Sequence, residues 1–128
     1  NGCVYMLEKP EDIMRKFKKA VTDSDACVRF DPAAKPGVSN LMQIYSVATG
    51  ESFETIEAEF DGRGYGDFKK AVGESVVELL RPIREETERL LADKAYLESV
   101  YRAGEEKAPR VADRTVSKVY KKVGFLAR

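Results

Sequence analysis

Residues 67–90 read DFKKAVGESVVELLRPIREETERL, the longest stretch of the chain with helical periodicity. Its apolar residues recur mostly three or four positions apart, the spacing of one buried stripe along an α-helix. The stripe consists of Phe68, Val72, Val76, Leu79, Leu80, Ile83 and Leu90. Asp67 is suited to cap the start of this helix. Pro82 lies inside the pattern, where we expect it to kink the helix.

Shorter helical patterns precede this stretch. Pro10, with two acidic residues behind it, predicts a first helix of about three turns that ends at residues 22–25. A second helix is predicted over Val38–Ala48, with Gly50 as its stop. Ser52 is a favourable N-cap, so we expect a short acidic helix through Phe60.

Two further helices are predicted after the long one. Asp93 is expected to begin a helix that Gly104 ends, and the last helix has Pro109 near its first turn. No alternating strand pattern is found after Leu7, and no internal repeat. The sequence therefore predicts an all-α bundle of five to six helices behind a short extended N-terminal segment.

Composition narrows the function classes. The 128 residues suffice for one domain, and 22 basic residues balance 22 acidic ones. The absence of histidine excludes Ser-His and Cys-His nucleophiles and the usual zinc sites. With only Cys3 and Cys27 as thiols and no apolar run near ~18 residues, we expect a reduced, cytoplasmic protein with no membrane contact.

Acidic pairs are the only candidates for catalysis in the sequence itself. Asp23 with Asp25, or Glu85 with Glu86, could act as acid and base, but adjacent acids are usually only solvated. The alternating glycines of Gly62–Gly66 follow a helix rather than a strand and lack the dinucleotide-binding spacing. The residues therefore predict no active site in this chain.

Charge is distributed unevenly along the chain. Lys9–Lys19 holds five basic residues and two acids, Glu51–Asp61 holds five acids and no base, and Gly104–Arg128 holds seven basic residues and three acids. The two basic segments could form a positive face for phosphates. They could equally serve only to solvate the outer faces of their helices.

The glycine-rich loop offers a second binding hypothesis. Arg63 and Tyr65 lie in it, and Lys69 follows at the start of the long helix. Splayed RNA bases stack on aromatic or guanidinium planes and hydrogen-bond through their edges, so these residue types suit RNA. The alternative is that Tyr65 packs under its own loop.

A series of motifs resembles one family over essentially the whole chain. In order, they are AVTDSD (20–25), KPGVSNL (35–41), IYS (44–46), TGES (49–52), GRGYGDFK (62–69), LRPIR (80–84) and GExKA (104–108). Together they are similar to the C-terminal portion of bacterial tryptophanyl-tRNA synthetases, which are class I aminoacyl-tRNA synthetases.

This resemblance implies a role within a larger enzyme that joins tryptophan to its tRNA, using ATP with magnesium. The family's HIGH-type motif and KMSKS-type loop belong to a catalytic Rossmann domain, and neither occurs in this sequence. We therefore expect residues 1–9 to connect to that domain and residues 10–128 to form the helical anticodon-binding domain. Enzymes of this family are homodimers, and the contact between their subunits lies largely in the catalytic domain. The resemblance therefore allows this chain alone to be a monomer. No cofactor is expected within it.

The resemblance also suggests which residues contact the anticodon of tryptophan tRNA. Lys69 is the first candidate, followed by Arg63 and Tyr65. The segment around Lys35 contributes the remaining candidates, which are Lys35, Ser39 and Asn40.

One departure from the family concerns metal. Some members hold an iron–sulphur cluster through four cysteines, whereas here Cys3 and Cys27 stand alone, with Ala34 and Gly37 where further thiols would be expected. We predict no metal site. The non-enzyme alternative to the whole interpretation is a free-standing helical domain that binds proteins and not RNA.

Overall fold

Five α-helices account for most of the chain in the structure, a computed structural model that describes residues 2–126. They are α1 (Pro10–Lys18), α2 (Pro36–Thr49), α3 (Phe53–Glu59), α4 (Tyr65–Ala92) and α5 (Lys94–Val123). Within residues 2–126 there is no strand, so the all-α prediction is confirmed. None of the helices in this range is both long and apolar enough to cross a membrane.

Most helix ends lie where local chemistry predicts them. Pro10 is the first residue of α1, and Gly50 adopts φ 82° after the last residue of α2, a conformation that glycine reaches without strain. Ser52 caps α3 by accepting a hydrogen bond from the Thr55 backbone N–H at 3.3 Å. Asp93 caps α5 in the same way, accepting from the Tyr96 N–H at 2.9 Å.

The start of α4 differs from the prediction by three residues, since a cap at Asp67 predicts a helix that begins at Phe68. The helix begins at Tyr65, so Asp67 lies in its first turn and does not cap it. The Gly64 carbonyl accepts the first backbone hydrogen bonds, from Asp67 at 3.1 Å and Phe68 at 3.4 Å. Of Gly62, Gly64 and Gly66, only Gly62 has a positive φ, 71°. Gly66 lies within α4, so the glycine-rich loop is shorter than predicted.

Two predicted interruptions do not end their helices. The expected break at Gly104 is wrong, because α5 continues through both Gly104 and Pro109 for 30 residues. A glycine costs a helix only about 1 kcal/mol relative to alanine, and the surrounding Ala, Glu and Lys residues favour helix. α4 likewise continues past Pro82, and the kink there remains a prediction.

The chain divides into two compact units, Asn1–Glu85 and Glu86–Arg128. The first contains the apolar core, formed by Ile13, Phe17, Val28, Val38, Leu41, Met42, Tyr45, Ile56, Phe60, Phe68, Val72 and Val76. The apolar stripe of α4 is buried only over its first three members, since Leu79 is 48% exposed and Ile83 40%. In the second unit none of residues 86–126 is buried.

Candidate nucleic-acid interface

Lys35 and Tyr65, two of the predicted RNA contacts, meet in an internal polar cluster. The Lys35 Nζ donates to Asp25 Oδ2 at 2.9 Å, to Asp23 Oδ1 at 3.1 Å and to the Tyr65 hydroxyl at 3.2 Å. That hydroxyl in turn donates to Asp23 Oδ1 at 2.5 Å. These four residues, which we call the Lys35 cluster, hold a lysine side chain that is only 4% exposed.

The cluster joins three separate parts of the first unit. Asp23 and Asp25 lie in the loop after α1, Lys35 directly precedes α2, and Tyr65 is the first residue of α4. Asp23 also accepts from the Asp25 backbone N–H at 2.9 Å, which folds the loop so that both carboxylates reach Lys35. The cluster therefore ties the α1–α2 loop to the start of α4.

Gly37 allows the first turn of α2 to lie close to the α1–α2 loop. A Cβ at this position would lie 2.3 Å from the Val21 carbonyl oxygen, far inside van der Waals contact. The first turn of α2 therefore packs against the α1–α2 loop only because residue 37 has no side chain.

The charges in the cluster stabilise one another. The hydrogen bond from Tyr65, helped by the Lys35 ammonium, lowers the pKa of Asp23 to about 2. The hydrogen bond to Asp25, with those to Tyr65 and Asp23, raises the pKa of Lys35. Burial raises the pKa of the Tyr65 hydroxyl, and its hydrogen bond to Asp23 adds to the effect. Lys35 is thus charged and Tyr65 neutral across the physiological range.

The side chains of Ser39 and Asn40 lie in different surroundings. Ser39 is buried, and its Oγ accepts from the Asp31 backbone N–H at 2.9 Å. Asn40 is exposed and lines an open groove of about 380 Å³ with apolar neighbours that include Val4 and Ile44. Ser39 therefore has a partner within the fold, whereas Asn40 remains accessible.

Arg63 and Lys69 are the candidates whose charges are not held by a carboxylate. Arg63 is exposed, and its guanidinium carbon lies 5.4 Å from the centre of the Phe60 ring. Lys69 is half-buried and forms no ion pair with residues 2–126. It follows Tyr65 by four positions, one helical turn along the same face of α4.

The acidic pairs that were weighed for catalysis serve as ion-pair partners. Asp23 and Asp25 hold Lys35, as described above. Glu85 lies 3.2 Å from Arg81, and Glu86 lies 2.7 Å from Arg89, all of these on the surface of α4. The acids thus offset nearby cations.

The two cysteines are both exposed. Over the described part of the chain, no group of three or more His, Cys, Asp or Glu side chains is arranged to hold a metal ion.

Sequence reasoning did not identify Asp23 and Asp25 as the partners of Lys35. Their contacts bridge 10 and 12 positions in the chain, and the contact of Asp23 with Tyr65 bridges 42. The available signal was an acidic TDSD motif ahead of the basic KPG motif in a segment without helical periodicity.

The described residues thus form an all-α unit in which accessible cations lie beside a buried polar cluster. Residues 1–81 match the family model described as tRNA synthetases class I (W and Y), and the chain belongs to this family. It is 46% identical over 125 residues to the tryptophan–tRNA ligase of Leifsonia xyli subsp. xyli, and 44% identical over 126 residues to that of Clostridium tetani. Each match covers 98% of this chain and 37% of the relative.

A solved structure has the same fold. The tryptophanyl-tRNA synthetase from Mycoplasma pneumoniae superposes with a TM-score of 0.64 at 26% identity, over 98% of this chain and 38% of that one. The chain therefore spans a little over a third of the length of its relatives. The resemblance inferred from the sequence motifs is confirmed.

Proposed function

We propose that the chain is the C-terminal helical portion of a tryptophan–tRNA ligase and that it reads the anticodon of tryptophan tRNA. The supporting observation is the match to ligases of that name along 98% of this chain but only 37% of theirs. In this proposal residues 1–9 connect to the catalytic domain and residues 10–128 form the anticodon-binding domain.

The whole enzyme, on this proposal, attaches tryptophan to its tRNA in the cytoplasm. Its catalytic Rossmann domain would bind ATP with magnesium and would form the homodimer contact. The present chain would contribute tRNA recognition rather than chemistry.

The start of α4 is the proposed contact with the anticodon loop. Lys69 extends from the second turn of the helix without a carboxylate partner, and Arg63 presents a guanidinium plane from the exposed loop before it. Such groups hydrogen-bond to base edges and stack on bases splayed from a loop. Asn40 is a third accessible group on the neighbouring helix α2.

Lys35, Ser39 and Tyr65 have a supporting role in this proposal. Their polar atoms already bond to partners within the fold, so each would have to give up an internal hydrogen bond to contact a base. The Lys35 cluster holds Tyr65 in place, and Lys69 lies one turn beyond it. We therefore assign these residues to positioning the surface that Lys69 and Arg63 present.

The test compares two hairpins. The labelled anticodon stem–loop of tryptophan tRNA and a hairpin with an altered anticodon are titrated with the whole chain at two salt concentrations. The proposal expects tighter binding to the correct loop, and Lys69→Ala is expected to reduce that preference by a factor of about 5 to 150, the range for one base contact.

Lys70→Ala is the matched control. Lys70 is the next residue on the same helix, but it is exposed and lies 3.8 Å from Glu74, so its removal should leave the preference unchanged. Equal binding to both hairpins by the unmodified chain would contradict anticodon reading by this domain. Equal effects of Lys69→Ala and Lys70→Ala would contradict the assignment of Lys69.

A further inference from the structure

The basic residues in the second half of α5 lie on one face of the helix. With 3.6 residues per turn, five of them fall within an arc of about 80° and extend over about 21 Å along the axis. These residues, which we call the basic stripe, are Lys107, Arg110, Arg114, Lys118 and Lys121. Successive members are three or four positions apart, so each turn of the helix adds one cation to the row.

The basic stripe has no compensating charge on its own face. All five side chains are exposed, and none forms an ion pair with any of residues 2–126. The nearest acids are Glu106 and Asp113, which the helical geometry places about 80° and 100° from the centre of the stripe. By contrast, Arg81, Arg89 and Arg102 are each paired with a glutamate three or four positions away.

The helix dipole does not account for this row of charges. Cations stabilise a helix C-terminus, but the effect falls off within the last turn. Lys121 and Lys122 lie in the last turn of α5, whereas Lys107, Arg110 and Arg114 lie two to four turns earlier. The earlier cations repel one another, and none of them forms an ion pair with residues 2–126 that would hold its charge.

We propose that the basic stripe binds the sugar–phosphate backbone of RNA, as a surface separate from the residues that read the anticodon. This inference rests on the proposed function, which makes tRNA the partner of the chain. A straight row of cations about 4.5–6 Å apart is complementary to a linear polyanion. The two arginines in the row can bind phosphate oxygens in a bidentate manner.

The other face of the same helix favours RNA over an acidic membrane. Helices that bind membrane surfaces bury large residues such as Trp, Phe and Leu opposite their cations. Residues 107–124 contain none of these, and the apolar positions are chiefly alanine and valine. Such a face offers little area to insert between lipids.

The test removes three charges from the basic stripe and, in a matched control, three charges elsewhere. Arg110→Gln/Arg114→Gln/Lys118→Gln is compared with Arg81→Gln/Arg89→Gln/Arg102→Gln, whose arginines are paired with glutamates. Both triple variants carry the same net charge, and circular dichroism checks that both remain helical. Affinity for the anticodon stem–loop of tryptophan tRNA and for the hairpin with an altered anticodon is measured between 50 and 200 mM salt.

The stripe variant is expected to bind both hairpins more weakly by the same factor. Each lost phosphate contact lowers the slope of log K against log salt by about 0.7–0.9, so the slope should fall by about 2–3. The control should keep the slope of the unmodified chain. Anticodon reading is tested by the ratio of the affinities for the two hairpins, whereas the basic stripe is tested by the slope of log K against log salt. Either proposal can therefore fail while the other holds.

Three results would overturn the proposal. The slope could fall equally in both triple variants, which would mean that affinity follows net charge alone. The unmodified chain could fail to bind either hairpin at 50 mM salt, although its stripe is intact. Finally, the stripe variant could keep its RNA affinity while losing sedimentation with phosphatidylserine vesicles, which would make an acidic membrane the partner.

Discussion

Lys35 holds its charge among two carboxylates and a phenol with 4% of its side chain exposed. Replacing it by methionine removes the cation and leaves Asp23 partly buried beside Tyr65. We expect Lys35→Met to lower the urea midpoint of unfolding clearly, and the added change Asp23→Asn to recover part of the loss. Lys70→Met, at an exposed ion pair, is the control and should change the midpoint little. An equally small effect of both lysine substitutions would show that the Lys35 cluster does not stabilise the fold.

Asp23 makes the stability of the first unit dependent on pH. Its pKa is about 2 in the folded chain, below the usual value of 3.8, because Tyr65 and Lys35 bond to the carboxylate. Folding therefore favours the ionised form, and this contribution is complete above about pH 4 and lost as pH falls towards 2. The stability difference between the unmodified chain and Asp23→Asn should shrink over that interval in urea titrations. A difference that stays constant between pH 5 and pH 2 would argue against a depressed pKa.

Gly37 is required by packing and not by its backbone angles. An added methyl group would meet the Val21 carbonyl at 2.3 Å, and the backbone would have to shift. We expect Gly37→Ala to cost about 1–3 kcal/mol, the usual range for overpacking, as measured by urea unfolding. Gly66→Ala is the control, since a methyl group there meets nothing within 4 Å and lies in the first turn of a helix. Similar losses in both variants would contradict the packing explanation.

Helix ends were predictable from sequence where the signal is local. Pro10, Gly50, Ser52 and Asp93 each act through their own ring, backbone angle or side-chain oxygen, so the residue type suffices. The break at Gly104 was predicted wrongly because the cost of one glycine has to be weighed against the whole surrounding helix.

The candidate site was predictable only in part, for a different reason. The sequence indicates a basic and aromatic loop, but the partners of Lys35 and Tyr65 come from other elements. A lysine that is held by two aspartates and a lysine without an ion-pair partner look the same in the local sequence. Only tertiary structure separates Lys35 from Lys69.

Helix α5 offers a test of how strongly such a glycine resists helix formation. Gly104 lies within the helix with nothing near its Cβ position, whereas Gly124 follows it in the left-handed region at φ 75°. Gly104→Ala should therefore stabilise α5 by about 0.5–1 kcal/mol. Gly124→Ala should destabilise it by about 1–2 kcal/mol. Thermal melts followed by circular dichroism report both, and a shift of the same sign in the two variants would contradict a continuous, glycine-capped α5.

The two units of the chain differ in what holds them together. All twelve core residues belong to the first unit, while residues 86–126 of the second contain no buried side chain. Local opening costs least where few apolar contacts are broken. Amide hydrogens of α5 should therefore exchange at least tenfold faster than those of Phe68–Val76 in α4, measured by mass spectrometry on the whole chain.

If the basic stripe contacts phosphates, adding RNA should reduce the difference in amide exchange rate between α5 and Phe68–Val76. Holding five side chains of one face against the backbone of a hairpin reduces opening of the helix that bears them, so exchange over Lys107–Lys121 should slow on adding the anticodon stem–loop. Phe68–Val76, already protected by the core, provides the internal control and should change little. Protection of α5 equal to that of α4 before RNA is added would contradict the expected instability of the second unit. Unchanged exchange in α5 at saturating RNA would place the RNA contact in the first unit alone.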